Sequence, residues 1–167
     1  DQGGRGIIQA SVDTGAFDSF ALGDGMFADS LIEAIGDDLA GTVGTVPASA
    51  GEGAQMFLDL AEKAGFAGDG AYRGTSYDAG ALLVLAMQAA GSADRAAIAG
   101  KVMDVANAPG ELRLPGELCR GLEMLAAGGD IDYIGASAVE LIGGGESAGN
   151  YRELEIIGGV ITTAQYR

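Results

Sequence analysis

Ile7, Ile8 and Val12 form a short apolar face closed by Gly15, which predicts the end of a helix with a glycine stop. Phe20-Ala21-Leu22 predicts a short buried strand running into Gly23-Asp24-Gly25. Ser30-Leu31-Ile32-Glu33 fits a capping box, with Leu31, Ile32 and Ile35 apolar and Gly36 as the stop. Thr42 to Val46 predicts a second strand, and 47–53 a loop. Met56, Phe57, Leu60, Ala61 and Ala64 then recur at helical spacing up to Gly65. A loop around Tyr72 spans 66–74, and Thr75 or Ser76 caps the next helix. That helix is apolar nearly all round, through Leu82, Leu83, Val84, Leu85 and Met87, which predicts deep burial. Gly91-Ser92 ends it and caps another, with Ile98, Val102 and Val105 inward. After a turn at 107–110, Leu118, Leu122 and Leu125 predict a helix that stops at Gly128-Gly129. The texture then changes. Val139 to Ile142 reads as a strand, and runs 151–157 and 160–163 flank Gly158-Gly159 as a two-residue hairpin.

Strands alternating with helices imply an α/β fold with a parallel sheet. Only two strands precede the helical run, too few for a sheet buried on both faces. The expectation is an incomplete parallel sheet whose other strands lie outside this chain. The 167 residues suit one ordinary domain or a piece of a larger two-lobed protein. At 48% hydrophobic, the chain has ample material for a packed core. The longest apolar run, Ala79 to Gly91, is broken by Gln88 and is shorter than the roughly 20 residues of a membrane helix.

Charge narrows the function classes. With 24 acidic against 9 basic residues, the formal net charge is -15, and no basic cluster offsets it. Such a surface repels phosphate backbones and anionic membranes, so no nucleic-acid partner is expected. The absence of His removes His-based metal sites and His-dependent triads. The single Cys119 permits no internal disulfide and reads as a small buried hydrophobe. Asp130, Asp132 and Glu140 lack the spacing of a calcium loop, so no metal is expected and the segment reads as an Asp-containing turn. Gly3-Gly4 and Gly143-Gly144-Gly145 lack the lysine or the glycine fingerprint of phosphate and dinucleotide sites, so no cofactor is expected. With no base, nucleophile constellation or cofactor motif, the chain does not read as an enzyme. Asp24 is the sharpest candidate for chemistry. It lies between two glycines where a strand gives way to a helix, the position at which open α/β sheets bind ligands. A carboxylate there can receive a ligand ammonium. A turn residue in a Gly-rich tripeptide is the bland alternative.

Several segments, in order, resemble the C-terminal portion of the periplasmic leucine/isoleucine/valine-binding family that serves ABC transporters. They are Ala16-Phe17-Asp18 with Leu22-Gly23-Asp24-Gly25 and Asp29-Ser30-Leu31-Ile32, then Gly41 to Pro47, then Thr75-Ser76-Tyr77-Asp78-Ala79 with Ala90-Gly91-Ser92. Leu125 to Tyr133 with Gly135-Ala136-Ser137, and the closing hairpin, complete the series. Where that family carries an Asp- or Asn-rich turn, this chain has Gly143-Gly144-Gly145-Glu146-Ser147.

The resemblance implies part of a two-lobed type I periplasmic-binding-protein fold. Residues 1–47 would belong to the second lobe, 48–134 to a helical part of the first, and 135–167 to a terminal strand and hairpin. The family fold's N-terminal segment would be a further partner of this chain. By the same resemblance, Asp24 matches the acidic residue that holds an amino acid's α-ammonium, and Tyr72 an aromatic that packs on the ligand side chain. The implied function is an extracytoplasmic, periplasmic solute-binding component that traps a small amino acid or amide between its lobes and delivers it to an ABC permease in the membrane. A ligand-sensing regulator built on the same fold is the alternative.

Overall fold

The computed structural model describes residues 2–49 and 51–167. In chain order the elements are α1 (Gln2–Thr14), β1 (Ala21–Leu22), α2 (Asp29–Ile35), β2 (Val43–Ala48), α3 (Gly51–Lys63), α4 (Arg73–Ala90), α5 (Arg95–Ala99) and α6 (Val102–Ala106). There follow β3 (Glu111–Arg113), α7 (Leu118–Ala126), β4 (Ile131–Tyr133), β5 (Leu141–Gly143), β6 (Glu146–Ser147), β7 (Asn150–Ile157) and β8 (Val160–Tyr166). They form two compact units. Residues 1–47 and 151–167 make the first, and 48–150 the second.

The first unit is organised by a four-stranded sheet of order β1-β2-β7-β8. β1 pairs with β2 in parallel, Ala21 opposite Val43 and Leu22 opposite Gly44. β7 and β8 form the antiparallel hairpin, with Ile157 opposite Val160. Gly158 and Gly159 both have positive φ, 58° and 74°, the backbone that a tight two-residue hairpin turn requires. Ile8 of α1, Leu31 of α2, Leu39 and Ile156 are buried together, with Val12, Phe20 and Ile35 packed around them. Gly44 is needed at its place. A Cβ there would meet the Leu22 carbonyl oxygen and the Phe27 ring.

The second unit packs α4 against α6 and α7, and the short parallel pair β3–β4 lies against α6 and α7. Its core joins Ala81, Leu85 and Ala86 of α4 to Val105, Ala106, Ile131, Tyr133 and Val139. Gly91, at φ 56°, ends α4, and Ser92 N–H reaches back to Met87 O at 3.3 Å. The Asn107 amide brackets β5, donating to Leu141 O at 2.7 Å and accepting from Leu141 N at 2.9 Å.

Several local expectations are corrected. α2 starts at Asp29, one residue before Ser30, so Ser30 lies inside the first turn and no side chain caps it. α4 starts at Arg73, and the Thr75 hydroxyl donates to Tyr72 O at 3.0 Å from within the first turn. Asp94 caps α5 by accepting from the N–H groups of Ala96 and Ala97, while Ser92 accepts from Asp94 N. The expected helix through Val105 is two short ones, broken at Gly100 and Lys101. Residues 131–133, read as part of an Asp-containing turn, form β4, whose partner β3 was not anticipated. Cys119 is exposed, not buried.

The largest difference concerns α4. Leu85 is fully buried, but Leu83 is 53% exposed and Val84 and Met87 are exposed beside it. The outward row passes from Ala79 and Gly80 through Leu83 and Val84 to Met87, a helical repeat of three and four residues. Replacing Leu85 with Ala in this chain is therefore expected to cost about 2–5 kcal/mol, and Leu83→Ala less than about 0.5 kcal/mol. Urea unfolding of both variants checks this; equal losses would mean that α4 is buried all round.

Candidate functional site

β1 ends at Leu22, Gly23 is extended at φ -78° and ψ 167°, and Asp24 opens a single 3-10 turn over Asp24–Met26. The Asp24 carboxylate is exposed at the carboxyl end of a strand in a parallel pair, and its Oδ1 accepts from Gly25 N at 2.7 Å. Gly23 and Gly25 add no side-chain bulk beside it, and a Cβ on either would meet nothing. Chemically this is an accessible carboxylate anchored through its own turn, able to receive a cation.

Tyr72 belongs to the second unit. It stands immediately before α4 in the left-handed conformation, φ 64°, which a non-glycine residue seldom adopts. Such conformations persist where the surroundings over-determine them and recur at functional sites. Its ring is 44% exposed. It borders a cavity of about 480 Å³ within this unit, lined also by Phe57, Phe66, Tyr77, Arg73 and Ser76. Phe57 and Tyr77 pack with ring centroids 5.3 Å apart at 47°. Asp24 and Tyr72 thus fall in different units.

What fixes the start of α4 is a residue that carried no role in the sequence reading. Asp78, only 2% exposed, turns its carboxylate inward from the second turn of α4, just before the helix becomes apolar. Oδ1 accepts from the Tyr133 hydroxyl at 2.9 Å and from Ala136 N at 2.8 Å. Oδ2 accepts from Ser137 N at 2.8 Å and from the Ser137 hydroxyl at 2.6 Å. Burial and the neighbouring Asp78 charge push the Tyr133 phenol well above its usual range, so it stays a hydrogen-bond donor. Close approaches complete the arrangement. A Cβ on Gly74 would meet Ser49 Oγ and Ala136, one on Gly53 the Gly135 carbonyl oxygen, and one on Gly135 the Asp78 carboxylate. The signal for this lay in the sequence: Asp78 is the last charge before the apolar run that begins at Ala79.

Asp130, Asp132 and Glu140 do not assemble a cation site. Among the described residues, no three of Asp, Glu, Cys or His converge as metal ligands. Partial burial, then the Glu140 charge, raise the Asp132 carboxyl above its ordinary value.

Comparison with known proteins bears on the fold. No family model matches the chain, and no curated protein does. Among solved structures, the chain superposes on the leucine-binding protein LivK of Thermotoga maritima with a TM-score of 0.65 at 22% identity, over 96% of this chain and 40% of that one. The chain therefore has the α/β fold of a type I periplasmic-binding protein, with an incomplete parallel sheet and a terminal hairpin. It spans 40% of that protein's length.

Two outcomes test the geometry. Asp78→Ala is expected to cost about 3–5 kcal/mol, because buried donors left without an acceptor cost about 1–3 kcal/mol each. Tyr133→Phe, which removes one donor only, is expected to cost about 1–2 kcal/mol. Denaturant midpoints decide, and an Asp78→Ala variant within about 1 kcal/mol of wild type would refute the anchoring role. For Asp132 the fold favours the protonated acid, so its contribution is present at low pH and is lost as pH rises through the raised value. Asp132→Asn should thus stabilise the protein at neutral pH, by less than about 1 kcal/mol for so exposed a group. The gain should vanish below about pH 4, the ordinary Asp range. Thermal unfolding across pH reads it directly.

Proposed function

We propose that this chain carries the C-terminal portion of an extracytoplasmic amino-acid-binding protein serving an ABC transporter. The observation that supports this most is the superposition of nearly the whole chain on a protein described as leucine-binding, with an exposed carboxylate, Asp24, at the carboxyl end of a parallel strand. In this reading residues 1–47 with 151–167 contribute to one lobe and 48–150 to the other. The complete two-lobed protein closes on a small amino acid or amide, as binding proteins do by hinge motion. Asp24 pairs with the ligand ammonium, and Tyr72 packs on its side chain. The role is binding, not catalysis, in the periplasm, with a membrane permease as the recipient.

The remaining part of the fold is the partner this reading requires. Two features support it. The β3–β4 sheet has only two parallel strands, whereas parallel sheets are ordinarily covered on both faces. The row Leu83, Val84 and Met87 leaves apolar surface on α4 uncovered, in a stretch from Ala79 to Ala93 that carries no charge.

The test is calorimetry with leucine, valine, alanine and γ-aminobutyrate. The complete two-lobed protein should bind one of these at about micromolar strength, and residues 1–167 alone no tighter than about millimolar. In the complete protein, Asp24→Asn keeps the shape and removes the charge, so the ammonium is buried without its counter-ion. That should cost about 3–5 kcal/mol, two to four decades of affinity. Asp29→Asn, on the exposed first turn of α2, should bind like wild type. An Asp24→Asn protein within about threefold of wild type would show Asp24 to be a turn residue only.

A further inference from the structure

The cavity beside Tyr72 lies wholly inside the second unit, and its composition is more specific than core packing requires. Its volume of about 480 Å³ falls in the range of small-molecule sites, about 300–1,000 Å³. Four aromatic rings line it. Phe57 is buried, and Tyr77 is fixed by ring contact with Phe57 and by accepting a hydrogen bond from Gly116 N at 3.1 Å. Phe66 and Tyr72 present their rings to solvent, at 50% and 44% exposure. The segment that carries them is seated. A Cβ on Gly68 would meet Ala61 and Leu58 of α3, so backbone and helix are in close contact there.

The polar groups at the cavity are Arg73 and the Ser76 hydroxyl. Arg73 extends over Gly70, whose absent side chain leaves room for the guanidinium. In a chain with 24 acidic and 9 basic residues, a carboxylate partner for every cation is in ample supply. Lys101, Arg113, Arg120 and Arg167 have such partners. None of the ion pairs found among the described residues includes Arg73, nor Arg5, Lys63, Arg95 or Arg152; of these five, Arg73 is the one that lines this cavity. A guanidinium beside exposed rings, with a hydroxyl nearby, matches one ligand chemistry: a flat apolar group ending in a carboxylate. The rings take the apolar part edge-to-face or offset, and the guanidinium takes the two carboxylate oxygens.

We propose that the cavity lined by Phe57, Phe66, Tyr72, Tyr77, Arg73 and Ser76 is a binding site for small aromatic carboxylates. It shares Tyr72 with the amino-acid reading but goes beyond it, because it needs neither Asp24 nor any part of the first unit. The experiment uses the 167-residue chain and phenylacetate, followed by calorimetry and by tyrosine fluorescence, which no Trp obscures. Phenylacetate should saturate a single site with a Kd below about 1 mM, and benzyl alcohol, which keeps the ring and lacks the charge, should bind at least about tenfold more weakly. Arg73→Gln should reduce phenylacetate to the level of benzyl alcohol, and Phe66→Ala should weaken both by about tenfold. Both side chains are exposed, so neither change disturbs the core. Phe17→Ala, an exposed ring of the first unit, should change nothing. Non-saturable phenylacetate binding, equal binding of the two probes, or indifference to Phe66→Ala would each overturn the site. Phenylacetate carries no ammonium, so its failure leaves the role of Asp24 standing, and failure of leucine binding leaves this site standing.

Discussion

Asp78 sets the local order of the second unit. A carboxylate removed from water near the start of a helix is tolerable only when donors replace its hydration. Here the donors are the Tyr133 hydroxyl, two backbone N–H groups and the Ser137 hydroxyl, all from the strand β4 and the loop that follows it. The requirement works in both directions. The acid needs the loop to reach it, and the loop needs the acid to hold its backbone in place. The loop is unusual backbone, with positive φ at Gly135 and at Ala138. Because Gly53 and Gly74 bring α3 and α4 against the same loop without intervening side chains, the starts of both helices are fixed there. Tyr72, in the left-handed conformation, stands immediately before α4.

The elements with strong periodicity were legible from the residues alone. α1, α3 and α7, the strands β1 and β2 and the final hairpin follow from apolar spacing and glycine position. The local misreadings share a cause. Ser30, Thr75 and Ser76 suit N-caps by residue type, whereas α2 and α4 begin one to three residues earlier and place these side chains inside the helix. β3 and β4 are three residues each, and they exist through pairing with each other; no window of so few residues carries a period. Asp24 was legible because its setting is local, a strand end between glycines. Asp78 stands in the motif Thr75-Ser76-Tyr77-Asp78-Ala79, but its anchoring role depends on partners 55 to 59 positions away, which no local pattern encodes.

The reading of α4 as buried all round went wrong for a different reason. An apolar surface on a helix says that the surface is suited to burial and not that this stretch of chain supplies the cover. The inner face, at Ala81, Leu85 and Ala86, is covered by α6 and by the strands beyond it. The outer face, at Leu83, Val84 and Met87, has the same composition and no cover among the described residues. The β3–β4 pair has the same character, two parallel strands where such sheets are ordinarily larger and enclosed. Both irregularities fit the proposal that the chain is one part of a longer two-lobed fold, whose other part would cover these apolar surfaces. The acidic surface runs the other way. A net charge of -15 is distributed over the chain yet absent from Ala79 to Ala93, so the longest uncharged stretch coincides with a helix whose outer face is apolar. Charge is ordinarily placed where a surface meets water, and its absence along this helix fits the proposal that further polypeptide covers this face.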